Sequence, residues 1–185
     1  MKYLYQIDNN LQYIYYITPK CATRTFFNVF SYNPVDYKEI SKNQKNYFSW
    51  SFVRNPWDRL VSTYTNKIID KHQGGLDSWR NSTGSFEEFI LRIKKLDVTG
   101  NNCDRHIRSL LTFLPPDINF IGKMENLQQD FNIVCDKIGR PQQELPHVNK
   151  SEHKHYTEYY DDETREIVAR KYAKDIEYFG YKFGE

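Results

Sequence analysis

No glycine occurs before Gly74. The glycine-rich GxxxxGK[ST] loop of nucleotide triphosphatases is therefore missing from the N-terminal part of the chain. Cysteine is scarce as well: Cys21, Cys103 and Cys135 form an odd, widely spaced set. Such a set is neither a disulfide framework nor a zinc pattern, and it reads as reduced thiols in a cytosolic protein. No apolar run approaches the roughly 20 residues of a membrane span. Residues 1–11 are polar and mixed, unlike a signal peptide. An excess of one charge is also lacking, since 26 Lys+Arg face 24 Asp+Glu for a net +2. That excludes a strongly basic nucleic-acid binder and an acidic disordered chain. There is no internal repeat.

What is present is a folded chain. Its 185 residues and 22.3 kDa fit one domain, 1–185. A core at this length buries roughly 70% of the unfolded surface. With 15 Tyr, 12 Phe and 3 Trp, that core is rich in polar-tipped aromatics.

The run Tyr13 to Ile17 is aromatic, β-branched and stopped by Pro19, which predicts a buried strand. A helix is expected from about Thr23, carrying Phe26, Phe27 and Phe30 inward. Residues 31–47 are polar and irregular. Tyr47 to Val53 reads as a second strand. Asn55-Pro56-Trp57-Asp58 reads as a helix start: Asn55 caps, Pro56 suits the first position, and Asp58 favours the positive end. Residues 70–84 read as a loop. Phe86 to Leu96 reads as a helix with Ser85 and Glu88 as a capping box. A short helix is expected at Ile107 to Leu114 and a third strand at Ile118 to Ile121. Asn126 to Ile138 is a helix with Asn126 and Gln129 as a capping pair and Gly139 as its stop. A last helix is expected at about 162–174. Strands alternating with helices predict an α/β fold with a mainly parallel sheet.

Two turns carry chemistry. Thr18-Pro19-Lys20-Cys21-Ala22-Thr23-Arg24-Thr25 joins the first predicted strand to a helix. Such a turn offers backbone N–H groups to a phosphate, and Lys20 adds a point charge while Thr23 and Thr25 add hydroxyl donors. The bland reading is an ordinary loop with a solvated lysine. Phe52-Val53-Arg54-Asn55-Pro56-Trp57-Asp58-Arg59-Leu60-Val61-Ser62 again joins a strand to a helix. It places Arg54 at a strand's carboxyl end, where parallel sheets bind ligands. Ser62, eight residues on, supplies a hydroxyl. Guanidinium plus hydroxyl suits a phosphate monoester. The bland reading pairs Arg54 with Asp58.

These two segments resemble the nucleotide-binding motifs of sulfotransferases that use 3′-phosphoadenosine-5′-phosphosulfate (PAPS). More narrowly, the chain is similar to the carbohydrate (Golgi-type) sulfotransferases, the group of the heparan sulfate 2-O- and chondroitin 4-O-enzymes. Phe120 to Leu127 followed by Asp130 resembles that group's FIGKxExLxxD segment. Asp104-Arg105-His106 resembles its histidine block, Leu145 to Ser151 its late loop, and Tyr172, Asp175 and Phe179-Gly180-Tyr181 its ending. The resemblance implies a P-loop-NTPase-like sulfotransferase fold. It implies that Lys20, Cys21, Ala22, Thr23, Arg24 and Thr25 hold the 5′-phosphosulfate, with Lys20 nearest the transferred group. Arg54 and Ser62 would grip the 3′-phosphate, and Ser151 and Lys154 would close over the nucleotide. The product would be adenosine 3′,5′-bisphosphate (PAP), with no metal required.

An acceptor hydroxyl needs a general base. The 2-O-enzymes have histidines between the two nucleotide motifs, and this chain has none there. Asp36 and Glu39 are candidates in that stretch, and His106 is the best histidine elsewhere. His106 also reads as a satisfied, partly buried histidine. His147 reads as loop packing, and His72, His153 and His155 as surface residues. Arg80, Arg105 and Arg108 are candidates to meet an anionic acceptor, and Trp57 and Trp79 to stack on a sugar, although Trp57 fits better beside its helix start. The expected partner is a carbohydrate or small hydroxyl acceptor, not nucleic acid. The family's animal members are Golgi membrane proteins with a luminal catalytic domain. With no anchor and three cysteines, this chain reads instead as a compact microbial or viral form working in the cytoplasm, or as an excised catalytic domain; the first is favoured because the first predicted strand lies about 12 residues from Met1. Two other readings compete: a P-loop kinase, against which the missing glycine motif counts, and a catalytically degenerate nucleotide- or glycan-binding module.

Overall fold

A computed structural model describes residues 4–30, 40–71, 76, 79, 84–146 and 154–185. In chain order its elements are β1 (Tyr5–Asp8), β2 (Tyr13–Tyr16), α1 (Thr23–Val29), β3 (Phe48–Val53), α2 (Pro56–Tyr64), α3 (Phe86–Lys94), β4 (Phe120–Lys123), α4 (Leu127–Ile138), α5 (Asp162–Lys171) and α6 (Ala173–Phe179). The backbone groups into two compact units. One comprises Met1–Arg54 and Phe113–Lys150, the other Asn55–Thr112 and Ser151–Glu185.

The first unit is α/β. Its sheet has the order β1-β2-β3-β4. β1 runs antiparallel to β2, with Tyr5 opposite Tyr16. β2, β3 and β4 are parallel, in a register that sets Tyr15 beside Trp50 and Phe52 beside Gly122. Parallel neighbours need a crossover between them, and α1 lies in the connection from β2 to β3. Aromatic side chains fill the core. The fully buried Trp50 stacks on Tyr15 with centroids 4.3 Å apart and meets the edge of Phe26 at 5.3 Å. Phe26 in turn reaches Phe131 of α4 at 5.8 Å. The expected α/β class with a mainly parallel sheet flanked by helices is the one observed.

The second unit is helical. Trp57, Leu60, Val61 and Tyr64 of α2 pack with Phe89, Ile90 and Ile93 of α3 and with Ile167 and Val168 of α5. Each fully buried aliphatic or aromatic side chain of this kind contributes roughly 1.5–3 kcal/mol. The starts of α2 and α3 follow the sequence. Asn55 accepts the Trp57 N–H at 3.2 Å, and Pro56 opens the helix. Ser85 accepts the Glu88 N–H at 3.1 Å while Glu88 accepts the Ser85 N–H at 3.2 Å. Gly139 closes α4 in the left-handed region at φ 68°.

Several elements differ from expectation. β1 lies in the N-terminal stretch read only as polar. The Asp8 carboxylate accepts the N–H groups of Asn10 and Leu11, both at 2.8 Å, and so turns the chain into β2. β4 begins at Phe120 rather than Ile118, because the Asn119 carboxamide oxygen takes the Ser49 N–H at 2.7 Å ahead of regular pairing. Asn126 makes no side-chain cap: a 3₁₀ turn, Met124–Asn126, leads into α4. The short helix at 107–114 is a 3₁₀ turn, Leu110–Phe113. The last helix breaks at Tyr172, whose φ −110° and ψ 24° leave helical geometry, and it runs on to Phe179. α2 continues into a π-helical turn, Thr65–Ile69. Phe27 is half-buried rather than inward.

Gly122 is required by close packing. A Cβ there would lie 2.6 Å from two ring carbons of Phe52 and 3.0 Å from the Asp130 Cβ. Phe52 is fully buried and has no room to retreat. Gly122→Ala should therefore cost about 1–3 kcal/mol, read as a lower urea midpoint at unchanged slope. An unmoved midpoint would contradict the packing.

Candidate functional site

The turn after β2 is built by buried hydroxyls. Thr18 Oγ1 donates to the Phe52 carbonyl of β3, and Ser51 Oγ donates to the Tyr16 carbonyl at 2.7 Å. Thr23 Oγ1 donates to the Thr18 carbonyl at 2.9 Å, across the turn. That bond ties the start of α1 back to the end of β2. Thr25 is buried on α1. Cys21 is fully buried, with Sγ 3.5 Å from the Pro19 carbonyl, so only its backbone faces a ligand. Arg24 is exposed and Lys20 is half-buried.

Lys20 and Ala22 both lie in the left-handed region, at φ 69° and φ 55°. For residues with a Cβ this costs roughly 1–2 kcal/mol each. This strained turn stands where a glycine-rich loop would relax the same geometry.

The second motif arrives at the same place within the first unit. β3 ends at Val53, and the half-buried Arg54 sends Nη1 to within 3.5 Å of the Lys20 carbonyl. The Arg54 guanidinium thus reaches the backbone of the turn that carries Lys20, 34 residues earlier, at the carboxyl ends of parallel strands. Ser62 and Lys154 belong to the second unit. Ser62 shares the less buried face of α2 with Asp58, and Lys154 is exposed. Asp36, Glu39 and Ser151 lie outside the described residues, as do Arg80, His72, His147 and His153.

In the second unit His106 is buried, at 7% exposure. Its Nδ1 lies 2.8 Å from Asp104 Oδ1, and its own N–H donates to the same oxygen at 2.8 Å. Burial pushes the imidazole below its usual range, and the Asp104 carboxylate opposes this only in part. Burial works to raise Asp104, yet its bonds from His106 outweigh that and hold it below the usual carboxylate range. An ionised carboxylate only accepts, so Nδ1 carries the proton and Nε2 keeps the lone pair. The surrounding loop is tied down as well. Thr63 Oγ1 lies 3.2 Å from the His106 carbonyl, and Tyr172 Oη donates to that of Ile107. Asp175 takes the Ser109 hydroxyl and the Leu110 N–H. Sequence motifs named Tyr172 and Asp175, but their role in holding this loop was visible only in three dimensions.

Arg108 donates to carbonyls, that of Cys103 at 3.1 Å and that of Asn101 at 2.9 Å, so it is not simply solvated. Trp57 packs beside its helix start, with Nε1 donating to the Arg165 carbonyl at 3.1 Å. His155 is exposed, as expected.

Ala22→Gly should stabilise the protein by about 0.5–1 kcal/mol, because glycine adopts φ 55° without a Cβ penalty. Equilibrium urea unfolding checks it, and a destabilised variant would show that Ala22 is not strained.

Comparison with known proteins agrees with this layout. The Sulfotransferase family model matches residues 3–182. Carbohydrate sulfotransferase 14 of Danio rerio is 25% identical over 177 residues, which cover 78% of this chain and 46% of that protein. Carbohydrate sulfotransferase 9 of Homo sapiens is 30% identical over 164 residues, covering 76% and 35%. An uncharacterized protein of Archaeoglobus fulgidus is 31% identical over 111 residues, covering 60% and 82%. The chain thus spans less than half the length of these animal relatives. No solved structure matches. The relatives overturn the cytoplasmic expectation, because they fall in the Golgi-luminal group that the motifs resemble. Among the described residues no helix is long and apolar enough to cross a membrane. With a family match across nearly its whole length and both motif turns folded at parallel strand ends, this chain belongs to the sulfotransferase family.

Proposed function

We propose that this protein transfers a sulfuryl group from PAPS to a hydroxyl of a carbohydrate. The observation that carries the reading is the approach of Arg54 Nη1 to the Lys20 carbonyl at 3.5 Å, which gathers both nucleotide motifs at one turn. The family match running through both units supports reading 1–185 as one sulfotransferase domain. The carbohydrate acceptor is proposed from the names of the relatives.

The residues present fit the nucleotide. Lys20 and Arg54 would supply two cations, and left-handed residues at Lys20 and Ala22 suit a turn whose backbone N–H groups meet an anion. Bound PAPS would supply an activated sulfuryl group and a bisphosphate leaving group. Lys20 neutralises charge developing on the 5′-phosphate oxygen as its bond to sulfur breaks. The turn 20–25 holds the 5′ end, and Arg54 binds the 3′-phosphate as a charged fork. Ser62, Ser151 and Lys154 keep the nucleotide-binding roles that the resemblance assigns. The acceptor oxygen forms the new bond to sulfur and gives its proton to a base. His106 Nε2 fits that task, because Asp104 fixes the tautomer and burial keeps the ring neutral. Glu39 is the alternative base from the sequence.

Lys20→Ala should lower kcat by at least about 100-fold with PAP binding largely retained, the scale of losing one preorganised charge. Arg54→Ala should instead weaken PAP binding roughly tenfold or more, about 1.4 kcal/mol or above. Stabilisation of the wild type by PAP, but not by ATP with magnesium, is expected in a thermal-shift assay. The opposite pattern would favour a kinase, and PAP binding without transfer to any glycan would favour the degenerate module.

The pH dependence follows from the depressed imidazole. Because folding lowers its pKa, the neutral form is favoured in the native protein. Both rate and its share of stability are full above the ordinary histidine range and fall as pH drops through the lower native value. The acid limb of the kcat profile should therefore lie below the ordinary histidine value of 6.5 and vanish in His106→Asn, which keeps only a residual rate. An unchanged limb in that variant would move the base elsewhere.

A further inference from the structure

Residues 182–185 fold back onto the start of the second motif, and the reading above gives them no part. Asn55 is the point of contact. Its Oδ1 caps α2 by accepting the Trp57 N–H, while its Nδ2 donates to the Lys182 carbonyl at 2.8 Å and lies 3.4 Å from the Glu185 backbone oxygen. Tyr156 holds the same segment. Its Oη accepts the Gly184 N–H at 2.6 Å and donates to the Glu185 backbone oxygen at 3.1 Å. The half-buried Phe183 ring packs at steep angles against Trp57, Tyr156 and Tyr160, each with centroids 5.6 Å apart. Arg165 places Cζ 5.6 Å from the centroid of the same ring. All of these residues belong to the second unit.

We infer that segment 182–185 is a clamp, anchored by Phe183, that presets the grip of this unit on the 3′-phosphate of the nucleotide. The inference rests on the sulfotransferase reading and adds to it a positioning residue, Phe183, which acts through Asn55 and Tyr156.

The places of these two residues in the chain carry it. Asn55 directly follows Arg54 and starts the helix that bears Ser62, and Tyr156 follows Lys154 by two residues. Each therefore ends a stretch with a nucleotide-binding role. Asn55 and Tyr156 are both buried, and Asn55 Nδ2 lies 3.4 Å from Tyr156 Oη. A contact of that length is weak and does not fix the spacing alone. The segment adds shorter bonds to the same two polar groups, and the Phe183 ring covers them. Edge-to-face ring pairs give such a cover a preferred geometry as well as apolar area. A phosphate grip gains from side chains that are ordered before the ligand arrives, because ordering them on binding lowers affinity.

Adenosine 5′-monophosphate separates this role from a general loss of stability, because it differs from PAP only in lacking the 3′-phosphate. In Phe183→Ala, PAP affinity measured by isothermal titration calorimetry should fall roughly tenfold, the scale of one or two side chains reordered on binding, while that of the monophosphate stays within about twofold. Tyr156→Phe, which keeps the ring and removes the hydroxyl, should move the two affinities in the same way. Phe183→Leu, which refills the space among the rings, should recover most of the loss. Equal weakening of both nucleotides, or unchanged PAP affinity with only a lower thermal midpoint, overturns the inference. If the wild type binds PAP no tighter than the monophosphate, the nucleotide reading fails and the clamp with it. If the wild type prefers PAP and neither Phe183→Ala nor Tyr156→Phe changes that preference, only the clamp fails.

Discussion

The site in the first unit depends on how β2 and β3 are tied at their carboxyl ends. Parallel strands share evenly spaced backbone bonds, but those bonds stop where the chains leave the sheet. Beyond that point Thr18 reaches the Phe52 carbonyl, and Ser51 reaches that of Tyr16. Each is a buried hydroxyl donating to a carbonyl of the neighbouring strand. A buried carbonyl without a partner would cost about 1–3 kcal/mol, so the two bonds hold the strand ends in one register. Lys20 follows Thr18 by two residues and Arg54 follows Ser51 by three. A slip at this crossing would move both cations at once. The Arg54 contact with the Lys20 carbonyl is therefore a consequence of the crossing, and it is weak enough at 3.5 Å to yield to a ligand.

How legible this was depended on the range of each interaction. Asn55 with Pro56, Ser85 with Glu88, and Gly139 act within a few residues, and their signals read correctly. β2 and β3 were legible because aromatic and β-branched runs bounded by Pro19 and Asn55 have few alternatives. β1 was hidden because Gln6 and Asp8 interrupt its apolar pattern, and its stability comes from β2 rather than from its own residues. Asn126 has the right chemistry for a cap but the wrong backbone, since a 3₁₀ turn precedes it. The break at Tyr172 was equally invisible. That hydroxyl bonds Ile107, 65 residues away, and no local pattern encodes such a partner. Thr23 shows the same limit within the site: its bond to the Thr18 carbonyl, five residues back, had no signal in the sequence.

Near-neutral composition also proved a poor guide to local charge. A net +2 excludes a polyanion-binding surface only if cations are spread evenly. Here two cations converge on one turn, while most described ion pairs lie on exposed helix faces, as in Arg165 with Asp162 and Arg170 with Glu166. Exposed pairs of this kind contribute little to stability, with a typical value of about 0–1 kcal/mol. The average therefore says more about solubility than about the site.

Arg59 presses the same argument further. It lies in the second motif, is fully buried, and its three guanidinium nitrogens have no hydrogen-bond partner among the described residues. It lies over the face of Tyr172, 5.5 Å from Cζ to the ring centroid. A cation over a desolvated aromatic gains about 2 kcal/mol, while stripping water from the charge costs several. Stability alone therefore does not account for an arginine at this position. Its long apolar stem still packs between helices and orders α2 against Tyr172. Tyr172 in turn anchors the loop that carries His106. The buried charge thus sits one contact away from the proposed base. Its cost is borne by a unit whose polar interior is spent on fixing one loop rather than on maximising stability.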